Sequence, residues 1–165
     1  MGNIRFIGAS VYGPENAVAA INSGMIDVLQ IAYNVLDQRM DEKVLGKAKL
    51  KGIGIISRSV FLKGVLTERV THLPKSCEPL KKAAENIRVK VKLSSWQDLS
   101  KFALRFVVSN PVINSVLVGV SNEAELDFAL DAFKKGKLIN NELELAYQCK
   151  MNDNFWLNPS NWEID

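Results

Sequence analysis

The sequence predicts an α/β fold built as half of a (β/α)₈ TIM barrel, and three observations predict it. Four short apolar runs, at residues 4–9, 26–31, 53–57 and 115–118, have strand length and the near-continuous apolar character of strands buried on both faces. Each run is followed by a stretch with helical spacing, and strand–helix alternation of this kind gives a parallel sheet. The chain has 165 residues, whereas a closed eight-stranded barrel typically takes ~250. Four parallel βα units plus extra helices leave two sheet edges open. Completion is therefore expected from a second copy, as a homodimer, or from a partner carrying the missing N-terminal half. Residues 1–150 read as this half-barrel domain and 151–165 as a tail that docks on the domain or on a partner.

The elements follow in order. After the first strand, Pro14 suits the first turn of a helix, Val18, Ala19 and Ile21 give it an apolar face, and Gly24 stops it. A second helix is expected over 41–50, with Val44, Leu45 and Ala48 on one side and Gly52 beyond its end. A long loop, 58–76, follows the third strand and holds Gly64, His72 and Pro74. Helices over 78–89 and 95–109 come next. For the latter, Ser94 with Gln97 three residues later has the form of a capping box, and Trp96, Leu99, Phe102, Ala103, Phe106 and Val107 supply the buried stripe. Asn110-Pro111 ends it. The fourth strand leads to a helix over 122–134, and a last helix lies near 142–149. Phe155, Trp156 and Trp162 in the tail carry no period and are read as packing across the chain's own helices.

Composition narrows the function. Twenty-one basic against 18 acidic residues give a net charge of +3, too balanced to argue for nucleic acid. The basic residues concentrated at Lys75, Lys81, Lys82, Arg88, Lys90 and Lys92 are read as a solvated helix face. Cys77 and Cys149 lack metal-ligand spacing and His72 is the sole histidine, so no metal site is expected. Unpaired thiols and no long apolar run point to a soluble, cytoplasmic protein without a membrane span.

Chemistry in a parallel barrel sits at the C-terminal strand ends. Here those are residues 10–13, 30–34, 58–61 and 119–123. They offer hydroxyls, amides, backbone N–H groups and one guanidinium. None is a good general acid at neutral pH, so the set holds a polar ligand better than it moves a proton.

Three ordered stretches, Ile7-Gly8-Ala9-Ser10, then Leu29 to Asp37, then Ala103 to Pro111, together with Val118-Gly119-Val120-Ser121-Asn122, resemble the C-terminal half of an aldo-keto reductase, strands five to eight of its barrel. The resemblance implies an oxidoreductase that passes hydride from NADPH to a carbonyl without metal. No position of this chain matches the family's Asp, Tyr, Lys and His tetrad, and His72 is not its histidine, so the chain is expected to be inactive alone. By the same resemblance, Ser10 and Gln30 face the carboxamide of the nicotinamide and Arg58 stands where many members stack a tyrosine. Ser59 and the loop through Gly64 approach the pyrophosphate, and Gly119, Ser121 and Asn122 close the adenine end. Gly119 and Glu125 occupy positions that are commonly Lys or Arg for the 2′-phosphate, and Phe128 and Ala129 replace a Glu-Asn pair for adenine, so that end reads as eroded. Barrels of this family also serve as non-catalytic binding or regulatory subunits, which is the alternative reading, as is a self-associating half-barrel.

Overall fold

The structure, a computed structural model, describes residues 2–162. Its centre is a four-stranded parallel sheet in the order β1–β2–β3–β4, with β1 over Gly8–Ser10, β2 over Val28–Ala32, β3 over Gly54–Arg58 and β4 over Ser115–Val116. Helices α1 (Pro14–Ser23), α2 (Gly46–Leu50), α3 (Glu78–Val91), α4 (Trp96–Ser109), α5 (Glu123–Lys134) and α6 (Asn140–Tyr147) surround it. Sequence order equals spatial order, as in a barrel, and β1 and β4 are the two edges. Four consecutive βα units are half of an eight-stranded parallel barrel.

Register shows why the strands are shorter at the edges than their apolar runs. β1 starts only where Gly8 pairs with Val28. Upstream of it Ile4, Phe6 and Ile7 are 73%, 68% and 56% exposed, because an edge strand has one neighbour and here that neighbour starts late. Asp27 ends the run by turning its carboxylate onto the Ile7 N–H at 2.9 Å. β4 pairs only over two residues, Ile56 with Ser115 and Ser57 with Val116.

The sheet is not buried on both faces as expected. Leu29, Ile31 and Ile55 are fully buried under the helices, while Val28, Gln30, Gly54 and Ile56 alternate onto the open face and are half-buried. That is the period of two of a pleated strand, with one face left without covering elements. The helical boundaries also shift. Residues 41–50 form a π-helical turn over Asp41–Leu45 before α2, and the 58–76 segment is tightened by 3₁₀ turns at Leu62–Gly64, Glu68–His72 and Lys75–Cys77. The capping box of α4 is Ser95 with Asp98, one residue beyond Ser94 and Gln97: Ser95 Oγ accepts the Asp98 N–H at 3.1 Å, and Asp98 accepts the Ser95 N–H at 3.1 Å. Aspartate closes the box as well as glutamine does, and Ser95 alone has the extended backbone a cap requires.

The tail folds back. Leu157 and Trp162 are buried at 3% and 7% exposure, the Trp162 indole donates to the Trp156 carbonyl at 3.2 Å, and the Met151 N–H donates to the Leu36 carbonyl at 2.9 Å. Residues 163–165 of the expected tail lie outside the described residues.

Candidate functional site

The strand ends meet in two zones. On the open face of the sheet, Ser10 of β1 lies opposite Gln30 of β2, and the Gln30 Nε2 donates to Ser10 Oγ at 2.9 Å. One register step on, Ala32 lies opposite Arg58. The Arg58 guanidinium stacks over the Tyr12 ring at 4.1 Å and donates to the Val11 carbonyl and to Ser59 Oγ, both at 3.2 Å. So the guanidinium at the position expected to stack a ligand is already seated on a protein aromatic.

The second zone is a groove of about 700 Å³ between the segment after β3 and the segment from Leu117 into α5. Of the residues singled out from sequence, it collects Ser59, Gly64, Gly119, Ser121 and Asn122. It does not collect Ser10, Gln30 or Arg58, which belong to the sheet face; Arg58 and Ser59, adjacent in the chain, join the two zones.

The loop on one wall is strained in a specific way. Ser59, Leu62 and Lys63 have φ of 59°, 44° and 52°, and Gly64 has φ 94°. Non-glycine residues in this region cost of order 1–3 kcal/mol each and cluster at ligand clamps. The loop's amides are turned onto its own carbonyls: the Leu62 N–H donates to Ser59, the Gly64 N–H to Phe61 and the Val65 N–H to Leu62, at 2.9, 2.9 and 3.1 Å. Gly64 is required: a Cβ there would stand 3.2 Å from Arg69 Cβ and 3.3 Å from its Cδ. Tethers hold the loop in place. Thr67 Oγ1 donates to the Gly64 carbonyl at 2.7 Å, and Ser100 Oγ of α4 donates to the Leu66 carbonyl at 3.1 Å.

Asn34, fully buried, is the residue that sets Ser59. Its Nδ2 donates to the Ser59 carbonyl at 3.0 Å, and its Oδ1 accepts the N–H groups of Leu36 and Asp37, each at 2.9 Å. Asn34 lies within the Leu29 to Asp37 stretch, and its only signal in the sequence is an amide inside an apolar run, which asks for buried partners. Asn34→Ala is expected to cost about 1–3 kcal/mol by leaving buried backbone groups unpaired. The Leu36 and Asp37 amides, which lose their acceptor, should also exchange hydrogen faster than in the unaltered chain, read by native-state exchange.

The opposite wall departs from expectation. The Ser121 N–H, at the end expected to receive adenine, is taken by the Glu125 carboxylate at 2.7 Å. Asn122 caps α5 by accepting the Glu125 N–H at 2.9 Å. Glu125 also accepts from Arg69 at 3.1 Å. The cations missing from the end of the last strand are therefore present from elsewhere: Lys63 and Arg69 reach the groove from the loop. A sequence aligned strand by strand does not show this, since the loop's path alone brings them in.

Behind both zones lies a buried polar cluster. Tyr33 OH donates to Asp41 at 3.1 Å, and Asn110 Nδ2 donates to Tyr33 OH at 3.1 Å and to Asp41 at 3.2 Å. Burial, then the Asp41 charge, raises the Tyr33 phenol well above its usual range, and burial raises the Asp41 carboxyl. Neither group borders the groove, so this cluster positions rather than reacts. Among the described residues no set of three His, Cys, Asp or Glu can hold a metal ion, and no helix is long and apolar enough to cross a membrane. His72 is exposed on the loop and Cys77 and Cys149 are free thiols.

Half a parallel barrel with an open groove of about 700 Å³ at its strand ends defines a class of protein. The aldo/keto reductase family profile matches residues 1–149, and the chain belongs to that family. It is 30% identical over 131 residues to the L-galactose dehydrogenase of Arabidopsis thaliana, a match covering 76% of this chain and 41% of that protein. The fold is similar to aldo-keto reductase AKR11C1 from Bacillus halodurans, in apo and holo forms, each at TM-score 0.74 and 20% identity; the match covers 90% of this chain and 52% and 51% of those chains. The chain thus spans about half the length of the relatives it matches.

Proposed function

We propose that this chain supplies the cofactor side of a carbonyl oxidoreductase that takes hydride from a nicotinamide dinucleotide, NADPH being the donor that the sequence resemblance implies. The observation that carries the reading is the groove. The loop after β3 faces the N-terminal end of α5 across about 700 Å³, and Lys63, which has no ion-pair partner among the described residues, stands in its wall. An unpaired cation beside an open groove is what a diphosphate needs. Ser59 and Gly64 fit the pyrophosphate, and Ser10 and Gln30, already paired to each other, fit a carboxamide, which both donates and accepts. When bound, the dinucleotide supplies the hydride. The chain's own part is to hold and orient it.

Proton delivery to a carbonyl oxygen falls outside this chain's strand ends. Arg58 cannot release a proton at neutral pH, and its guanidinium is engaged with Tyr12 and Val11. Turnover then requires four further strands. Exposed apolar side chains, Ile4 and Phe6 beside β1 and Leu126, Leu130 and Phe133 on α5, support docking of such strands. They come from a complementing half or from a second copy. A second reading, a binding module without catalysis, is favoured by the α5 wall, where the Ser121 N–H that an anion would use is taken by Glu125.

Titration of the chain with NADPH and with NADH, followed by nicotinamide fluorescence, is expected to give sub-millimolar binding of at least one. No binding of either at millimolar concentration overturns the reading. Addition of a polypeptide carrying the first four βα units of an aldo-keto reductase is expected to produce aldehyde-dependent oxidation of the bound dinucleotide. Binding without oxidation in that closed barrel selects the non-catalytic module.

A further inference from the structure

The carboxylate of Glu125 is the most constrained charge in the groove. Its Oε2 accepts the Ser121 N–H at 2.7 Å and its Oε1 accepts from Arg69 at 3.1 Å. Its own N–H is held by the Asn122 cap. The side chain is thus fixed at both oxygens on the α5 wall, while Ser59 and Lys63 line the loop wall.

We propose that Glu125 makes this groove select the nicotinamide dinucleotide whose adenosine ribose carries free hydroxyls, NADH over NADPH. The inference rests on the dinucleotide reading above, which lays the nicotinamide on the sheet face and leads the rest of the molecule past Ser59 toward α5. The adenosine ribose then falls against the α5 wall, and three features there reject a phosphate monoester. The backbone N–H such a group would use, that of Ser121, is already satisfied. The nearest cation, Arg69, is neutralised by Glu125. And a dianion would lie beside a fixed carboxylate, where like charges repel.

The same features accept a diol. A carboxylate has about four lone-pair sites, of which two are used here, so two remain for hydroxyl donors. Carboxylate-to-ribose bonding is the general device by which dinucleotide sites choose the unphosphorylated ribose. Lys63, with no ion-pair partner among the described residues, is left for the diphosphate.

Calorimetric titration of the full chain with NADH and NADPH tests the choice. NADH is expected to bind at least about tenfold more tightly, the ratio that corresponds to ~1.4 kcal/mol. Glu125→Lys removes the carboxylate and adds a cation, and is expected to level or invert the ratio. Arg69→Met leaves Glu125 unneutralised and is expected to widen it, so the two variants move in opposite directions and loss of fold cannot mimic the pattern. Thermal melting monitored by circular dichroism checks that both stay folded. NADPH binding as tightly as NADH to the unaltered chain, or a ratio that Glu125→Lys does not change, overturns the inference and leaves the dinucleotide reading intact. Failure of both dinucleotides to bind overturns that reading and the inference with it.

Discussion

Arg39→Ala is expected to destabilise the fold by about 3–5 kcal/mol, because it leaves a buried carboxylate without its counter-charge. Asp37 is fully buried, and Arg39 grips it bidentately, Nε to Oδ1 and Nη2 to Oδ2, both at 2.8 Å. The Asp37 hydrogen bond also raises the Arg39 pKa, the direction a pair stabilised in its charged form must show. Arg39→Lys should recover only part of the loss, since an ammonium cannot make two parallel bonds to one carboxylate. The informative comparison is the double variant Asp37→Asn with Arg39→Ala. Removing both charges should be milder than removing Arg39 alone, as measured by urea unfolding at unchanged m. Equal or additive losses would show that Asp37 is not electrostatically dependent on Arg39. The effect should reach the groove, because the same turn contains Asn34, whose carboxamide sets the Ser59 carbonyl.

Phe106→Ala is expected to cost about 3–5 kcal/mol, as large aromatic truncations in a packed core do. Phe106 is 1% exposed. Its ring stacks on Tyr33 at 5.4 Å and meets Tyr147 edge-on at 5.7 Å. It is thus the side chain by which α4 fixes the strand-end residue Tyr33, whose hydroxyl holds Asp41 and accepts from Asn110. Against a typical total of 5–15 kcal/mol, this loss brings the domain close to unfolding at room temperature. A fall in the urea midpoint of less than a third would show that the three rings do not form the core contact described. Phe106→Leu, which refills most of the volume, should recover about half of the loss.

Local chemistry carried much of this protein into view from the chain alone. The four apolar runs with helical stretches between them were enough for a parallel four-stranded sheet, since covering helices demand apolar strands and crossovers demand one hand. Pro14 and Gly24 bounded α1, where a positive φ of 69° at Gly24 explains the glycine. Ser10 and Gln30, which only the family resemblance placed on one ligand group, lie opposite each other on β1 and β2. The capping box slipped by a residue because Ser94 and Ser95 are equally good caps in sequence, and only the backbone turn chooses between them.

What resisted reading depended on contacts distant in the chain. Lys63 and Arg69 carry the groove's positive charge only because a loop anchored by Asn34 and Ser100 turns them toward α5. The bond from Glu125 to Arg69 joins residues 56 positions apart, and no period or propensity encodes such a pairing. Periodicity and turn chemistry act over a few residues, so the sequence by itself determined the fold class, the order of the sheet and where its strands end. Which charges face one another across the groove is a long-range packing outcome, and only the tertiary structure decided it.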